Sequence, residues 1–333
     1  GLATAALGSD GGGSIRVPAA MCGVVGLKPT IGRIPDHGPF KAMTEFVCPG
    51  PIARTVADVR ILMEAHLGES LPRTEIVGAR IGWCPSPLGH PVDPGVAAVL
   101  AATVARLEQL GHVVEQIDLP LDGWREAFGP LVLADEYRYR RDLLEVHSER
   151  LTRYARRSLE AALAVTAADV DAARALKEQV TRQMATVFDT YDFVLTPTVA
   201  CVAFPLRHRP TEIAGRPVDR LWGPFPFTGP FNVAGTPAAS IPCGLSDGLP
   251  VGLQVVGPTR GEQAILDLCE SIEETVEFPA ATMHTRWRQR PVPPLLDGVL
   301  VEHREDRVTV FRLDRADRRN AMTRDALEAL PTE

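Results

Sequence analysis

The sequence predicts an α/β fold, and three neighbouring stretches carry that reading. Arg80–Trp83, RIGW, reads as a short strand; residues 94–110 carry a helical pattern; residues 113–117, VVEQI, read as a second strand. Strand, helix and strand in succession make an α/β layer rather than an all-helical or all-strand one. The chain has 333 residues, 45% hydrophobic and 23% charged, which suits one large domain or two ordinary ones with a sizeable core.

The elements follow in order. Thr55 with Asp58 ahead of an apolar run predicts a capped helix through about His66. For the helix at 94–110, Asp93 is the cap, Pro94 fits the first helical position and Gly111 ends it. Val96, Val99, Leu100, Val104, Leu107 and Leu110 share one face. Residues 124 to about 190 are helical in character, rich in Ala, Arg and Glu. Residues 193–196 read as a buried strand ended by Pro197. A proline-dense loop then spans 197–230, and a loop of that length is either a substrate wall or lid or a plain surface excursion. Strands are predicted at 238–242 and 251–257, and a helix at 262–274. PVPPLLDG, residues 291–298, reads as a linker, followed by two alternating strands with a polar turn and a helix start.

Composition narrows the function. The net charge is −7, without the basic stripe that nucleic-acid binding asks for. No apolar run is long enough to span a bilayer. Cys22, Cys48, Cys84, Cys201, Cys243 and Cys269 are scattered without a CxxC pair, so reduced thiols and a cytoplasmic location are expected. The eight histidines form no HExxH, and no metal or other cofactor is implied.

The most chemically suggestive stretch is GSDGGGSIRVPAA, residues 8–20. Glycine reaches backbone angles closed to other residues and lets other atoms approach its amides. Successive amides in such a bend converge into a nest for negative charge. A hydroxyl at its end, Ser14, could attack a carbonyl while the oxyanion forms against the amides of Gly11, Gly12, Gly13 and Ser14. The residues alone leave two alternatives: a glycine-rich turn with a solvated serine, and a phosphate loop, which lacks its Gly-Lys-Ser/Thr ending here.

GSDGGGSIRVPAAMCGVVGLKPTIGRI resembles the signature of the amidase signature family. GPIARTVADV, YDFVLTPT, FNVAGTPAASIPCG and LPVGLQVVG, with Glu262 beyond, follow in the order that family shows. The resemblance covers residues 1–290 and implies a mixed central β-sheet flanked by helices. It also implies a serine hydrolase that cleaves carboxamides of small molecules to a carboxylate and ammonia or an amine. Ser14 matches the nucleophile, residues 11–14 match the oxyanion hole, and Asp10 and Arg16 match positions that hold the loop. The family activates its serine with an unprotonated lysine acting through a second serine in a cis peptide, a Ser-Ser-Lys triad. Both lie upstream of the nucleophile in the family, and only 13 residues precede Ser14 here. Of the three lysines, Lys28 in GLKPT matches a different segment and reads as structural. The chain is therefore expected to lack the N-terminal portion and to be inactive or nearly so as given.

Within the family, the glutaminase subunit of a tRNA-dependent amidotransferase is the alternative. PDHGPFKAMTEFVCPGP after GRI lacks the serine-rich stretch usual there, which argues against it. Residues 299–333 resemble the first strands and helix of the enoyl-CoA hydratase (crotonase) family, so a non-catalytic fragment of an amidase–hydratase fusion is a further alternative. Trp222, Phe225 and Phe227 either line an acyl or aryl pocket or pack in the core.

Overall fold

The computed structural model describes residues 3–35, 43–276 and 278, and the backbone of Val299–His303 and Thr309–Leu313. The chain divides into two units, Gly1–Ala280 and Ala281–Glu333. The first begins β1 (Ala5–Asp10), α1 (Arg16–Cys22), β2 (Val25–Lys28), β3 (Cys48–Ala53) and α2 (Val56–Leu67). It continues β4 (Arg80–Trp83), α3 (Pro94–Gln109) and β5 (Val113–Gln116). Four helices follow: α4 (Trp124–Arg140), α5 (Asp142–Val146), α6 (Arg153–Ala162) and α7 (Ala167–Phe188). After β6 (Phe193–Pro197) come a small hairpin, β7 (Glu212–Ile213) and β8 (Arg216–Pro217), and α8 (Gly229–Val233). The unit closes with β9 (Ala238–Ser246), β10 (Leu249–Val256) and α9 (Glu262–Thr275).

Eight strands form one sheet in the order β1-β3-β2-β9-β10-β6-β4-β5. Neighbours are antiparallel from β1 to β6 and parallel across β6, β4 and β5. The mixed sheet expected from the sequence is present. Period-2 alternation feeds two cores. Leu27, Ile241, Leu253, Val255, Phe193 and Leu195 join α2, α3 and α9 on one face. Val194 and Val256, one step along, join α4 and α7 on the other. Helix α1 lies on this second face, where Gly252 makes room for Ala20.

The caps behave as their chemistry requires. Thr55 Oγ1 accepts the Asp58 N–H at 3.1 Å, and Asp93 accepts the N–H groups of Gly95 and Val96. Gly111 has φ 90° just past α3. Leu110 departs from expectation: it is the C-terminal cap and is exposed.

Strands β1, β2 and β3 are not among the strands the sequence predicts: β1 (AALGSD) and β2 (VGLK) are short and carry a glycine each, and β3 carries two prolines and a glycine. β3 is CPGPIA, and proline argues against a strand flanked on both sides. Its glycine has a steric cause. A Cβ on Gly50 would lie 2.2 Å from the Leu27 carbonyl oxygen, so β2 and β3 can meet only with hydrogen at that position. The hairpin inside the 197–230 loop is likewise absent from the sequence pattern; Ala214 and Gly215 both take positive φ to make its turn.

In the second unit, β11 (Val299–His303) and β12 (Thr309–Leu313) pair antiparallel, as two strands were expected to lie there. The linker at 291–298 and the helix start lie outside the described residues. Among the described residues no helix is long and apolar enough to cross a membrane.

Gly50→Ala is expected to destabilise the first unit by about 1–3 kcal/mol, the usual cost of overpacking. Urea unfolding measures it, with a lower midpoint at an unchanged slope as the signature of a packing defect.

Candidate active site

The residues picked from the sequence gather where β1 ends and α1 begins. Asp10 is the last residue of β1, Gly11–Gly13 make the bend, and Arg16 opens α1. Ser14 lies between them and is exposed. Asp10 and Arg16 are both fully buried. Arg16 Nε donates to Asp10 Oδ2 at 3.0 Å and Nη2 donates to Oδ1 at 2.9 Å, a two-point pairing. Arg16 thus lies inside the protein rather than on its surface.

The pair is embedded in polar partners. Arg16 Nη1 donates to the Thr228 carbonyl at 2.9 Å and to Gln254 Oε1 at 2.8 Å. Arg16 Nη2 also reaches Asn232 Oδ1. Asn232 Nδ2 donates to Asp10 Oδ1 at 2.9 Å and to the Asp10 carbonyl at 3.1 Å. Gln254 Nε2 donates to Thr196 Oγ1 at 2.8 Å. Burial alone would raise the Asp10 pKa, but the Arg16 guanidinium outweighs it and holds the carboxyl well below the usual carboxylate range.

Asp10 also fixes the bend. Its carboxylate accepts the Gly13 N–H at 2.7 Å and the Ile15 N–H at 3.2 Å. Thr228 Oγ1 donates to the Gly12 carbonyl at 2.7 Å, and the Val17 N–H donates to the Gly13 carbonyl at 2.8 Å. In a planar trans peptide the N–H points opposite to the C=O. The Gly13 carbonyl is drawn into α1, so the Ser14 N–H is turned away from it. Gly13 has φ 132°, and a Cβ there would lie 2.2 Å from Thr228 Oγ1. Only glycine fits. The four-amide nest expected from the sequence is corrected in one respect: the Gly13 N–H is taken by Asp10. Among the described residues the amides of Gly11, Gly12 and Ser14 have no protein acceptor.

The bend is walled on one side by aromatic rings. A Cβ on Gly12 would meet Phe128 Cζ at 3.3 Å. Phe128 packs in tilted contact with Phe46 at 4.9 Å and with Trp124 at 6.1 Å between centroids. Trp124 in turn covers Gly229, beside Thr228. Of the three aromatics picked from the loop, Phe227 is buried, Phe225 stacks with Phe204 and Trp222 is exposed. Lys28 is fully buried in β2, and its Nζ donates to the Pro29 carbonyl at 2.9 Å. Burial lowers its pKa.

Asn232, Gln254, Thr228 and Thr196 complete the cluster, and sequence reasoning gave them no role. A signal was present: a glutamine inside the apolar run VGLQVVG must find partners if buried.

The family model for amidases matches residues 1–266. The chain belongs to the amidase family. A glutamyl-tRNA(Gln) amidotransferase subunit from Moorella thermoacetica is 35% identical over 318 residues, covering 84% of this chain and 64% of the relative. An acylamidase from Rhodococcus erythropolis is 32% identical, covering 82% of this chain and 61% of the relative. A crystal structure of an amidase superposes with TM-score 0.77 at 30% identity, covering 82% of this chain and 63% of that one. A bacterial aryl acylamidase of the same family gives TM-score 0.70 at 27% identity, covering 81% and 62%. The chain thus spans just under two thirds of these amidase relatives.

Asp10→Ala is expected to cost about 3–5 kcal/mol at neutral pH, because it strands a buried guanidinium. The folded-state pKa of Asp10 is depressed, so its contribution is present above the ordinary carboxylate range and lost as pH falls below it. Stability measured between pH 7 and pH 3 should therefore fall more steeply in the parent than in Asp10→Ala.

Proposed function

We propose that the protein carrying this chain hydrolyses a carboxamide through a covalent acyl-enzyme on Ser14. The observation that carries the reading is an exposed serine hydroxyl at the end of a bend whose peptides are fixed from behind. Ser14 Oγ attacks the amide carbon and gives up its proton to a base. The carbonyl oxygen becomes an oxyanion against the amides of Gly11, Gly12 and Ser14. The C–N bond breaks, the amine leaves with a proton, and water then releases the carboxylate. Asp10 and Arg16 act as positioning residues that keep the bend rigid.

The serine needs a base to react at neutral pH. The family resemblance gives that part to a lysine acting through a second serine. Neither has a matching motif in these 333 residues, and turnover by this chain alone is expected to be slow or absent. A second reading, the glutaminase subunit of a tRNA-dependent amidotransferase, draws support from the Moorella relative and is opposed by the stretch after GRI.

The protein as its native gene encodes it should react covalently with a fluorophosphonate at Ser14, read by intact mass and peptide mapping. Ser14→Ala should remove the label. Label retained in that variant, or none in the parent, would contradict the reading. Gly12→Val should lower kcat by on the order of a hundredfold with little change in KM, because the new side chain crowds the bend against Phe128. An unchanged kcat would remove the amides from the mechanism.

A further inference from the structure

A cleft of about 270 Å³ opens between the start of α4 and the β7–β8 hairpin. His90, Arg125 and Arg216 line it. Arg125 Nη2 lies 3.3 Å from His90 Nε2, and Arg216 Nη1 donates to the Gly89 carbonyl at 2.9 Å. Among the described residues neither arginine is paired with a carboxylate. Asp219 also lines the cleft, but its Oδ1 accepts the N–H groups of Leu221 and Trp222. Burial, and then Arg125 and Arg216, push the His90 pKa down. The neutral His90 ring thus shares the cleft with two guanidinium groups, and Asp219 is the one carboxylate among the lining residues. The adjoining cleft of about 500 Å³ shares Arg125 and adds Asp118, Asp122 and Glu126, so Arg216 at the hairpin end is the arginine lining this cleft alone.

Two routes join this cleft to the Ser14 bend. Phe128 lies on Gly12, and Trp124 and Arg125 come about one helical turn earlier on α4. On the other side Thr228 holds the Gly12 carbonyl, and Phe227, next in sequence, meets the His90 ring edge-on at 6.3 Å. The walls of the cleft and of the Ser14 bend are thus connected through Trp124–Phe128 and through Phe227–Thr228.

We propose that the His90–Arg125–Arg216 cleft binds a carboxylate, so that the substrate class is amides bearing a carboxylate away from the scissile bond. The assignment of the scissile bond rests on the Ser14 reading; the carboxylate site itself does not. Arginine suits the task because its planar fork matches a carboxylate. The hairpin that brings Arg216 belongs to the proline-dense loop, which acts here as a wall of the binding site.

Calorimetric titration of the chain carrying Ser14→Ala tests this, because binding is read without turnover. Glutaramate against its uncharged diamide probes a carboxylate on the acyl side. N-acetylglycine against N-acetylglycinamide probes one on the amine side. At least one anion should bind about tenfold or more tightly than its neutral partner. Arg125→Gln or Arg216→Gln should abolish that preference; both side chains are exposed, so the fold tolerates the changes. Equal binding within both pairs, no measurable binding of either anion, or a preference surviving both variants overturns the proposal. Retained carboxylate preference in a protein whose Ser14 never reacts with a fluorophosphonate would instead overturn the hydrolase reading alone.

Discussion

A fully buried aspartate and a fully buried arginine cannot sit apart in a protein interior, because an isolated charge there is too costly. Asp10 and Arg16 meet on two points, and the remaining capacity of both goes to Asn232, Gln254 and backbone groups. That one pair ties the β1–α1 turn to two distant parts of the chain, helix α8 and strand β10. The glycine bend hangs from it. Because Asp10 takes the Gly13 N–H and Thr228 takes the Gly12 carbonyl, the peptides around Ser14 have little freedom to rotate. Rigidity matters for any charge-stabilising role, since donors held in place need no reorganisation when charge develops.

The sheet explains why the pair can be so deeply set. Small residues on α1 and β10, Ala20 and Gly252, bring the helix close against the strand. Arg16 then projects onto the same face as Gln254 and Thr196, which lie two residues along their strands from the apolar Val256 and Val194. A polar cluster shares a face with the α4 and α7 core, and each member is satisfied by another.

Some of this was legible in the sequence and some was not. The caps of α2 and α3 were readable because Thr55, Asp93 and Gly111 act on neighbours within a few residues. The bend was readable because three glycines before a serine leave few structural purposes. Strand β3 was hidden, since Gly50 and its flanking prolines serve a close approach to β2, a strand about twenty residues earlier. The loss of the Gly13 amide to Asp10 was equally hidden: four successive N–H groups look equivalent on paper, and only the three-dimensional path shows that one turns inward. Asn232 and Gln254 sit more than 200 positions from their partners, and no local pattern could connect them.

The most direct measurement is a crystal structure of the protein with a fluorophosphonate bound at Ser14. The phosphonyl oxygen should lie about 2.7–3.1 Å from the amides of Gly11, Gly12 and Ser14, with the Gly13 N–H still on Asp10. A phosphonyl oxygen turned to solvent, or a Gly13 amide that has left Asp10 to reach it, would contradict the account of a bend fixed by the Asp10–Arg16 pair.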